Sequence, residues 1–178
     1  MYTLLRPRHV CARVGGSFLE RCAALRSLVR PGEVYTHAVA ASQHAQHCHE
    51  SRTDGVACYL RRLEIGYTGD EPTDNWCSPS MTLRRGEGDC DDHSILGASL
   101  LRASGVRADV VLGWMRRPGR RPGYHAWVVG NDPMFGFFSM EPQSGMIWWG
   151  RVPPTYDAEA QGGPDGCWWV DRHMNVIG

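Results

Sequence analysis

The segment that most constrains this chain is a run of glycine and acidic residues around a single cysteine, Gly-Glu-Gly-Asp-Cys-Asp-Asp at 86–92. Just beyond it, apolar residues recur with the spacing of one helical face, at Ile95, Leu96, Leu100 and Leu101. Ser104-Gly105 then supplies a stop signal. The pattern predicts a glycine-bearing loop followed by an amphipathic helix from Cys90 to Ala103.

A cysteine at the first turn of a helix is a candidate nucleophile. The unpaired N–H groups and the positive end of the helix dipole stabilise a thiolate there. The neighbouring carboxylates act in the opposite direction and raise the thiol pKa; they are Asp89, Asp91 and Asp92. We therefore expect Cys90 to need a cationic partner.

Three extended runs follow the predicted helix, at 108–114, 124–129 and 135–140, and their β-branched and aromatic residues are typical of strands. The second run contains His125, and the third ends at Glu141-Pro142. A helix and three strands can bring a thiol, an imidazole and a carboxylate together. We predict that His125 takes the proton of Cys90 and that Glu141 orients His125.

These motifs, in this order, resemble the transglutaminase-like cysteine peptidase superfamily, in its bacterial and phage branch. The resemblance covers roughly residues 54 to 142. Its parts are Gly88-Asp89-Cys90, the helix end and Gly-Val-Arg-Ala at 100–108, His125-Ala126-Trp127, Glu141-Pro142, and the lead-in Trp76-Cys77-Ser78-Pro79.

The resemblance implies an α+β fold with a transglutaminase-like, papain-like core, in which N-terminal helices and the nucleophile-bearing helix pack on an antiparallel β-sheet. It also implies a thiol-dependent hydrolase or acyltransferase that cleaves a peptide or amide bond through an acyl-enzyme, with no cofactor and no metal. The family acid is usually aspartate, and Glu141 is one methylene longer. Asp132 is the nearest alternative for the third role.

Acyl transfer also needs hydrogen-bond donors for the developing oxyanion. The backbone N–H of Cys90 is one expected donor. Trp76 and Asn75 are the candidates for the second donor and for the substrate cleft, since the resemblance places their segment beside it. The alternative for Trp76 is that it closes the core over the helix. His93, three residues beyond Cys90 on the same helix, is poorly aimed at the sulfur and is expected to be solvated.

Composition predicts a single domain over 1–178, because 178 residues with 42% hydrophobic content suit one core. We divide it into a helical part at 1–75, a catalytic core at 76–142 and C-terminal strands at 143–178. The formal net charge of +0 at pH 7 gives no reason to expect a nucleic-acid partner. All 19 basic residues are arginine, which excludes a lysine-dependent mechanism.

Outside the core motifs, turn signals divide the chain into further elements. We predict helices at 18–29, 34–49 and 56–63, the last preceded by a break at 53–55. Loops are expected at 68–79 and around 161–166, with additional strands at 146–149 and 167–170.

The cysteine count is odd, at seven, and residues 1–14 lack the apolar core of a signal peptide. We therefore expect reduced thiols, no transmembrane segment, and a cytoplasmic or virion-associated protein. A regulatory Cys77–Cys90 disulfide is an alternative to a core role for Cys77. His44, His47 and Cys48 would share a helical face and could bind zinc, against the alternative of a polar helix face.

Three functions remain open from the sequence. The favoured one is a hydrolase acting on a peptide, protein or cell-wall peptide. A protein-crosslinking transglutaminase uses the same chemistry with an amine acceptor. The third is a non-catalytic structural or binding protein of the same fold, such as a bacteriophage particle component whose partners are other subunits of the particle.

Overall fold

The computed structural model describes residues 10–48, 51–69 and 74–177, and for residues 44–48 it describes the backbone only. Its helices are α1 (Phe18–Leu28), α2 (Tyr35–Cys48), α3 (Arg52–Arg62), α4 (Pro79–Arg85) and α5 (Cys90–Ala103), and a 3-10 turn spans Pro31–Val34. Its strands are β1 (Cys11–Arg13), β2 (Gly66–Tyr67), β3 (Asn75–Cys77), β4 (Glu87–Gly88), β5 (Arg107–Met115), β6 (Gly123–Asp132), β7 (Gly136–Glu141), β8 (Met146–Trp149), β9 (Tyr156–Gly163) and β10 (Gly166–Trp169).

The main sheet has six strands in the order β10-β9-β5-β6-β7-β8, and every pairing in it is antiparallel. Strands β5 to β8 form consecutive hairpins, while β9 returns to pair with the free side of β5. Two short pairs lie apart from this sheet, β1 with β3 and β2 with β4. The predicted α+β fold on an antiparallel sheet is confirmed.

Helix α5 lies at the centre of the molecule and has the bounds that its periodicity predicts. Asp89 caps its first turn, where acidic side chains favour the positive end of the helix dipole, and Arg102 lies in the last turn. Leu96 and Leu100 are fully buried. Gly105 follows in the left-handed conformation, with φ of 80°, which ends the helix at low steric cost.

Side chains of β6 alternate between the two faces of the sheet, as strand geometry requires. Ala126 and Val128 join the main core beneath α5. Trp127 and Val129 join a smaller cluster on the other face, together with Tyr156 of β9. This alternation places His125 on the same face as Trp127, where both rings lie close to Tyr156.

The N-terminal helices form where expected, with one boundary changed. Ser51 caps α3 by accepting a hydrogen bond from the backbone N–H of Asp54. The predicted break at 53–55 is therefore wrong, because these residues form the first turn of the helix. Thr53 is held there by a 2.6 Å hydrogen bond from its hydroxyl to Asp132.

Strand β9 is absent from the sequence prediction, which assigned part of it to a loop at 161–166. Its alternate positions are small, at Ala158, Ala160 and Gly162, so it lacks the apolar run of a buried strand. The structure requires small residues there: a Cβ added at Gly162 would lie 2.8 Å from the sulfur of Cys167 and 3.1 Å from Leu25. Only the turn at 164–165 remains a loop.

The expectation of reduced thiols is wrong for four cysteines, which form the disulfides Cys11–Cys77 and Cys22–Cys167. The first joins directly paired residues of β1 and β3, and the second joins α1 to β10. Both link segments far apart in sequence, which a local pattern does not reveal.

Since Cys77 bonds Cys11, the Cys77–Cys90 alternative is excluded in this structure. Among the described residues Cys58 and Cys90 are the cysteines outside these disulfides. The zinc hypothesis for His44, His47 and Cys48 falls on side chains outside those that the structure describes. No helix in the described part of the chain has both the length and the apolar character needed to cross a bilayer.

Candidate active site

Cys90 is the first residue of α5, and its sulfur lies against β6. The side chain of Asp89 caps the helix by accepting from the backbone N–H of Asp92. The Cys90 sulfur accepts a hydrogen bond from the backbone N–H of Ala126, the residue that follows His125. The N-terminus of α5 is thus directed at the part of β6 that carries His125.

His125 and Glu141 are in direct contact across neighbouring strands. Nε2 of His125 lies 2.6 Å from Oε2 of Glu141, and the two side chains are 8% and 13% exposed. With Nε2 donating its proton to the carboxylate, Nδ1 is left as an acceptor. Nδ1 has no hydrogen-bond partner within the described residues. The imidazole therefore has the tautomer and the free lone pair that a base requires.

Tyr156 completes this arrangement from β9. Its hydroxyl donates a 2.9 Å hydrogen bond to the same Oε2 of Glu141. Its ring packs edge-on against His125 at 5.6 Å between centroids and also contacts Trp127. Burial and the adjacent negative charge of Glu141 raise the pKa of Tyr156, so the phenol stays a donor. Sequence reasoning missed this residue because β9 itself was missed.

Burial raises the pKa of the Cys90 thiol to about 12, and the nearby negative charges of Asp91 and Asp89 act in the same direction. The Ala126 N–H opposes this effect only in part. The resting thiol is therefore neutral at pH 7. A nucleophilic role for this thiol would require a base that removes its proton.

Asp91 is itself buried, and its Oδ1 has no hydrogen-bond partner among the described residues. Burial and the charge of Asp89 raise its pKa well above the ordinary value. Ligand atoms of Asp89, Cys90 and Asp91 all lie within 4.8 Å of one another, so this group could hold a cation. Two carboxylates favour a hard cation and the thiol does not.

Trp76 is buried at 2% exposure in the main core, and its indole N–H donates a 2.6 Å hydrogen bond to Asp74. This placement agrees with the alternative that Trp76 closes the core. Asn75 begins β3 and is half-buried, opposite Arg13 of β1. The assignment of either residue to the oxyanion site stays a prediction.

Asp132 lies at the opposite end of β6 from His125, seven residues or roughly 23 Å along the strand. Its carboxylate accepts from the Thr53 hydroxyl and from backbone N–H groups of the β6–β7 turn, including that of Met134 at 2.8 Å. The structure therefore removes Asp132 from consideration as the partner of His125.

Tyr67 is a second residue that sequence reasoning missed. It pairs with Gly88 through the two-residue strands β2 and β4. Its ring stacks on His93 at 6.4 Å between centroids. Burial, followed by the charges of Cys90 and Asp89, raises the pKa of its phenol to about 12. Strands of two residues leave no periodic signal, so nothing in the sequence points to this contact.

His93 itself is engaged by its own helix, because Nδ1 lies 2.7 Å from the carbonyl oxygen of Asp89. That bond holds the ring away from a role as base. The expectation that His93 is poorly aimed at the sulfur agrees with this geometry. The expectation that it is solvated is wrong, because His93 is buried within the fold.

A helix-start cysteine beside a histidine that is oriented by a carboxylate is the arrangement of a thiol–imidazole site. The sequence model of the Transglutaminase-like superfamily matches residues 36–142. Since this match covers more than half of the chain, the protein belongs to the transglutaminase-like superfamily. Comparison with curated protein sequences gives no match.

Solved structures share the fold. A candidate cysteine protease from Cytophaga hutchinsonii is 17% identical with a TM-score of 0.57, over 76% of this chain and 43% of that one. LapG from Legionella pneumophila is 16% identical with a TM-score of 0.56, over 80% of this chain and 88% of that one. The chain thus spans less than half of the Cytophaga protein.

Proposed function

We propose that this protein is a thiol-dependent hydrolase or acyltransferase that cleaves a peptide or amide bond through Cys90. One observation carries the proposal. His125 forms a 2.6 Å hydrogen bond with Glu141, and the backbone N–H of the next residue on β6, Ala126, donates a hydrogen bond to the Cys90 sulfur. Membership of the superfamily supports the same chemistry.

In the first half-reaction, Nδ1 of His125 accepts the Cys90 proton while the sulfur attacks the substrate carbonyl. The new C–S bond gives a tetrahedral oxyanion, which the backbone N–H of Cys90 stabilises at the helix N-terminus. The C–N bond then breaks, and the amine leaves with the proton held by His125. The product is a thioester on Cys90.

In the second half-reaction, His125 removes a proton from water, which attacks the thioester. The C–S bond breaks, the carboxylic acid leaves, and the proton returns to the sulfur. Glu141 holds the imidazole in one tautomer throughout and stabilises its charged form. An amine in place of water would give transamidation through the same thioester.

We infer that Cys90 does not rest as a preformed thiolate. Because the thiol pKa is about 12, proton transfer to His125 accompanies attack, as in serine hydrolases.

The two disulfides bear on where the protein works. Disulfides persist in oxidising surroundings and are rare in the cytosol. They support a site of action outside the reducing cytosol, such as the cell envelope or the exterior of a virion, rather than the cytoplasm. Cell-wall peptides and secreted proteins are substrates of the proposed chemistry that such a location would offer.

The test is hydrolysis of a mixed peptide library by the parent, by Cys90→Ala and by Cys58→Ala, with products identified by mass spectrometry. Cys58 is the other described cysteine that forms no disulfide and serves as the matched control. The parent and Cys58→Ala should cleave, and Cys90→Ala should not. Addition of a fluorescent primary amine separates the acceptors, because incorporation into peptides indicates transamidation.

Equal cleavage by the parent and Cys90→Ala would overturn the proposal. Absence of both cleavage and amine incorporation in the parent would favour the structural alternative. In that case Cys90→Ala should behave like the parent in any assembly that contains the chain.

A further inference from the structure

One wall of the cleft beside His125 is unusually basic. The loop between β5 and β6, residues 116–122, holds four arginines and no acidic residue. Arg116 forms an ion pair with Asp157 at the base of the loop. The remaining three have no carboxylate partner in the described structure and line the cleft: Arg117, Arg120 and Arg121.

Backbone hydrogen bonds hold this loop in place and so fix the positions from which the arginine side chains extend. The backbone N–H of Arg116 donates a 2.8 Å hydrogen bond to the carbonyl of Thr155. A turn then closes with the N–H of Arg120 bonded to the carbonyl of Arg117 at 3.1 Å. Gly119 supplies the left-handed conformation that this turn needs, with φ of 70°.

The cleft has a volume of about 480 Å³ and includes His125 in its lining. None of its lining residues is acidic. The remaining polar lining comes from neutral groups, Tyr67, Tyr124 and Gln143. Two acidic groups near Cys90 lie outside this lining: Glu141 is bound to His125, and the pKa of Asp91 is raised. Among the described residues that line the cleft, the arginines are therefore the ones with a permanent charge.

We propose that this cleft recognises substrate segments that carry carboxylate side chains, so that the enzyme prefers acidic peptides. The inference rests on the proposed function, since it names the substrate class of the same site. Guanidinium groups bind carboxylates through paired N–H donors. A cleft lined by one sign of charge also raises the local concentration of oppositely charged substrate. The three unpaired arginines next to the proposed base provide both effects.

Binding is tested apart from catalysis with the inactive Cys90→Ala protein. The probes are two fluorescein-labelled peptides of the same sequence, one with glutamates and the other with glutamines at the same positions. Exposed arginine–carboxylate pairs are each worth a few-fold in affinity. We therefore expect the glutamate peptide to bind roughly tenfold more tightly at low salt. This advantage should shrink as salt shortens the screening length to about 3 Å near 1 M.

The variant Arg117→Glu/Arg120→Glu/Arg121→Glu should lose the preference and bind an arginine-substituted peptide instead. The matched control is Arg26→Glu/Arg84→Glu/Arg172→Glu, which makes the same charge change at exposed arginines outside the cleft. It should keep the preference of the parent. The variant Arg117→Gln/Arg120→Gln/Arg121→Gln should bind both probes alike. The reversed preference of the glutamate variant is the result that a merely structural role of the loop would not produce.

The outcomes separate this inference from the proposed function. Library cleavage that requires Cys90 but shows no enrichment of acidic residues near the cut, together with equal binding of both probes, overturns the arginine proposal and leaves the hydrolase intact. Preferential binding of the glutamate probe without any cleavage overturns the hydrolase and keeps the cleft as an acidic-peptide site. Loss of the preference in the control variant would assign the effect to net charge and overturn the proposal.

Discussion

Tyr156 donates its hydroxyl hydrogen bond to the same Glu141 oxygen that binds His125, at 2.9 Å and 2.6 Å respectively. The acid therefore has two donors on one atom, from two different strands of the sheet. The second donor and the packing of the Tyr156 ring against His125 together fix where the carboxylate of Glu141 lies.

The first prediction concerns that second donor. Tyr156→Phe keeps the ring and removes the hydrogen bond to Glu141, so kcat should fall by about 3- to 10-fold with KM little changed, the effect of roughly 1 kcal/mol in one lost hydrogen bond. Steady-state kinetics on a cleaved peptide measures it. Tyr59→Phe is the control, since the Tyr59 hydroxyl bonds His37 away from the site. A change in KM alone would contradict the positioning role.

The second prediction concerns the acid itself. Glu141→Gln should lower kcat by on the order of 100-fold or more, because the amide no longer stabilises the charged imidazole. Glu141→Asp should retain partial activity. Circular dichroism checks that each variant folds. Unchanged turnover in Glu141→Gln would show that another group orients His125, and the placement of Asp132 excludes that residue.

The third prediction follows from the neutral thiol. With a pKa of about 12 for Cys90, the thiolate fraction grows with pH throughout the range below the pKa. Labelling of Cys90 by iodoacetamide should therefore rise about tenfold per pH unit from 7 to 10. Peptide mass spectrometry follows the rate at each pH. A plateau near neutral pH would reveal a preformed thiolate.

The cause of that raised pKa is tested by a single exchange. Asp89→Asn removes a negative charge beside the sulfur and keeps a side chain that caps helices equally well. The Cys90 pKa should fall, so labelling at pH 8 should be faster than in the parent while the melting temperature changes little. Labelling at the parental rate would show that the Asp89 charge does not contribute to the shift, which would leave burial and the charge of Asp91 as its causes.

The last prediction concerns the disulfides. Removal of the Cys22–Cys167 bond in Cys22→Ala/Cys167→Ala should destabilise the protein by about 2 to 5 kcal/mol, since the bond closes a long loop. A chain of this size should then melt roughly 5 to 15 °C lower. Calorimetry with and without reductant measures the loss. Mass spectrometry of the unreduced protein should show the linked peptides, and their absence would contradict the pairing.

Several elements follow from the sequence because their signals are local. Helix α5 has the predicted bounds because its caps, apolar spacing and stop signal all lie within the segment itself. Strands β5, β6 and β7 are also recognisable, because each is rich in β-branched and aromatic residues. The order of cysteine, histidine and acid along the sequence also predicts the candidate site residues Cys90, His125 and Glu141.

Other features were decided only by the tertiary structure. Residues 156–163 form strand β9 because β5 and β10 pair with them. Gly162 must be small because Leu25 and Cys167 occupy the space beside it. The disulfides depend on which segments come together in space, across 66 and 145 residues of sequence. The hydrogen bond from Tyr156 to Glu141 exists because the chain returns after β8 to place β9 beside β5. Sequence patterns report the preferences of neighbouring residues, whereas these contacts arise from packing between segments that share no local signal.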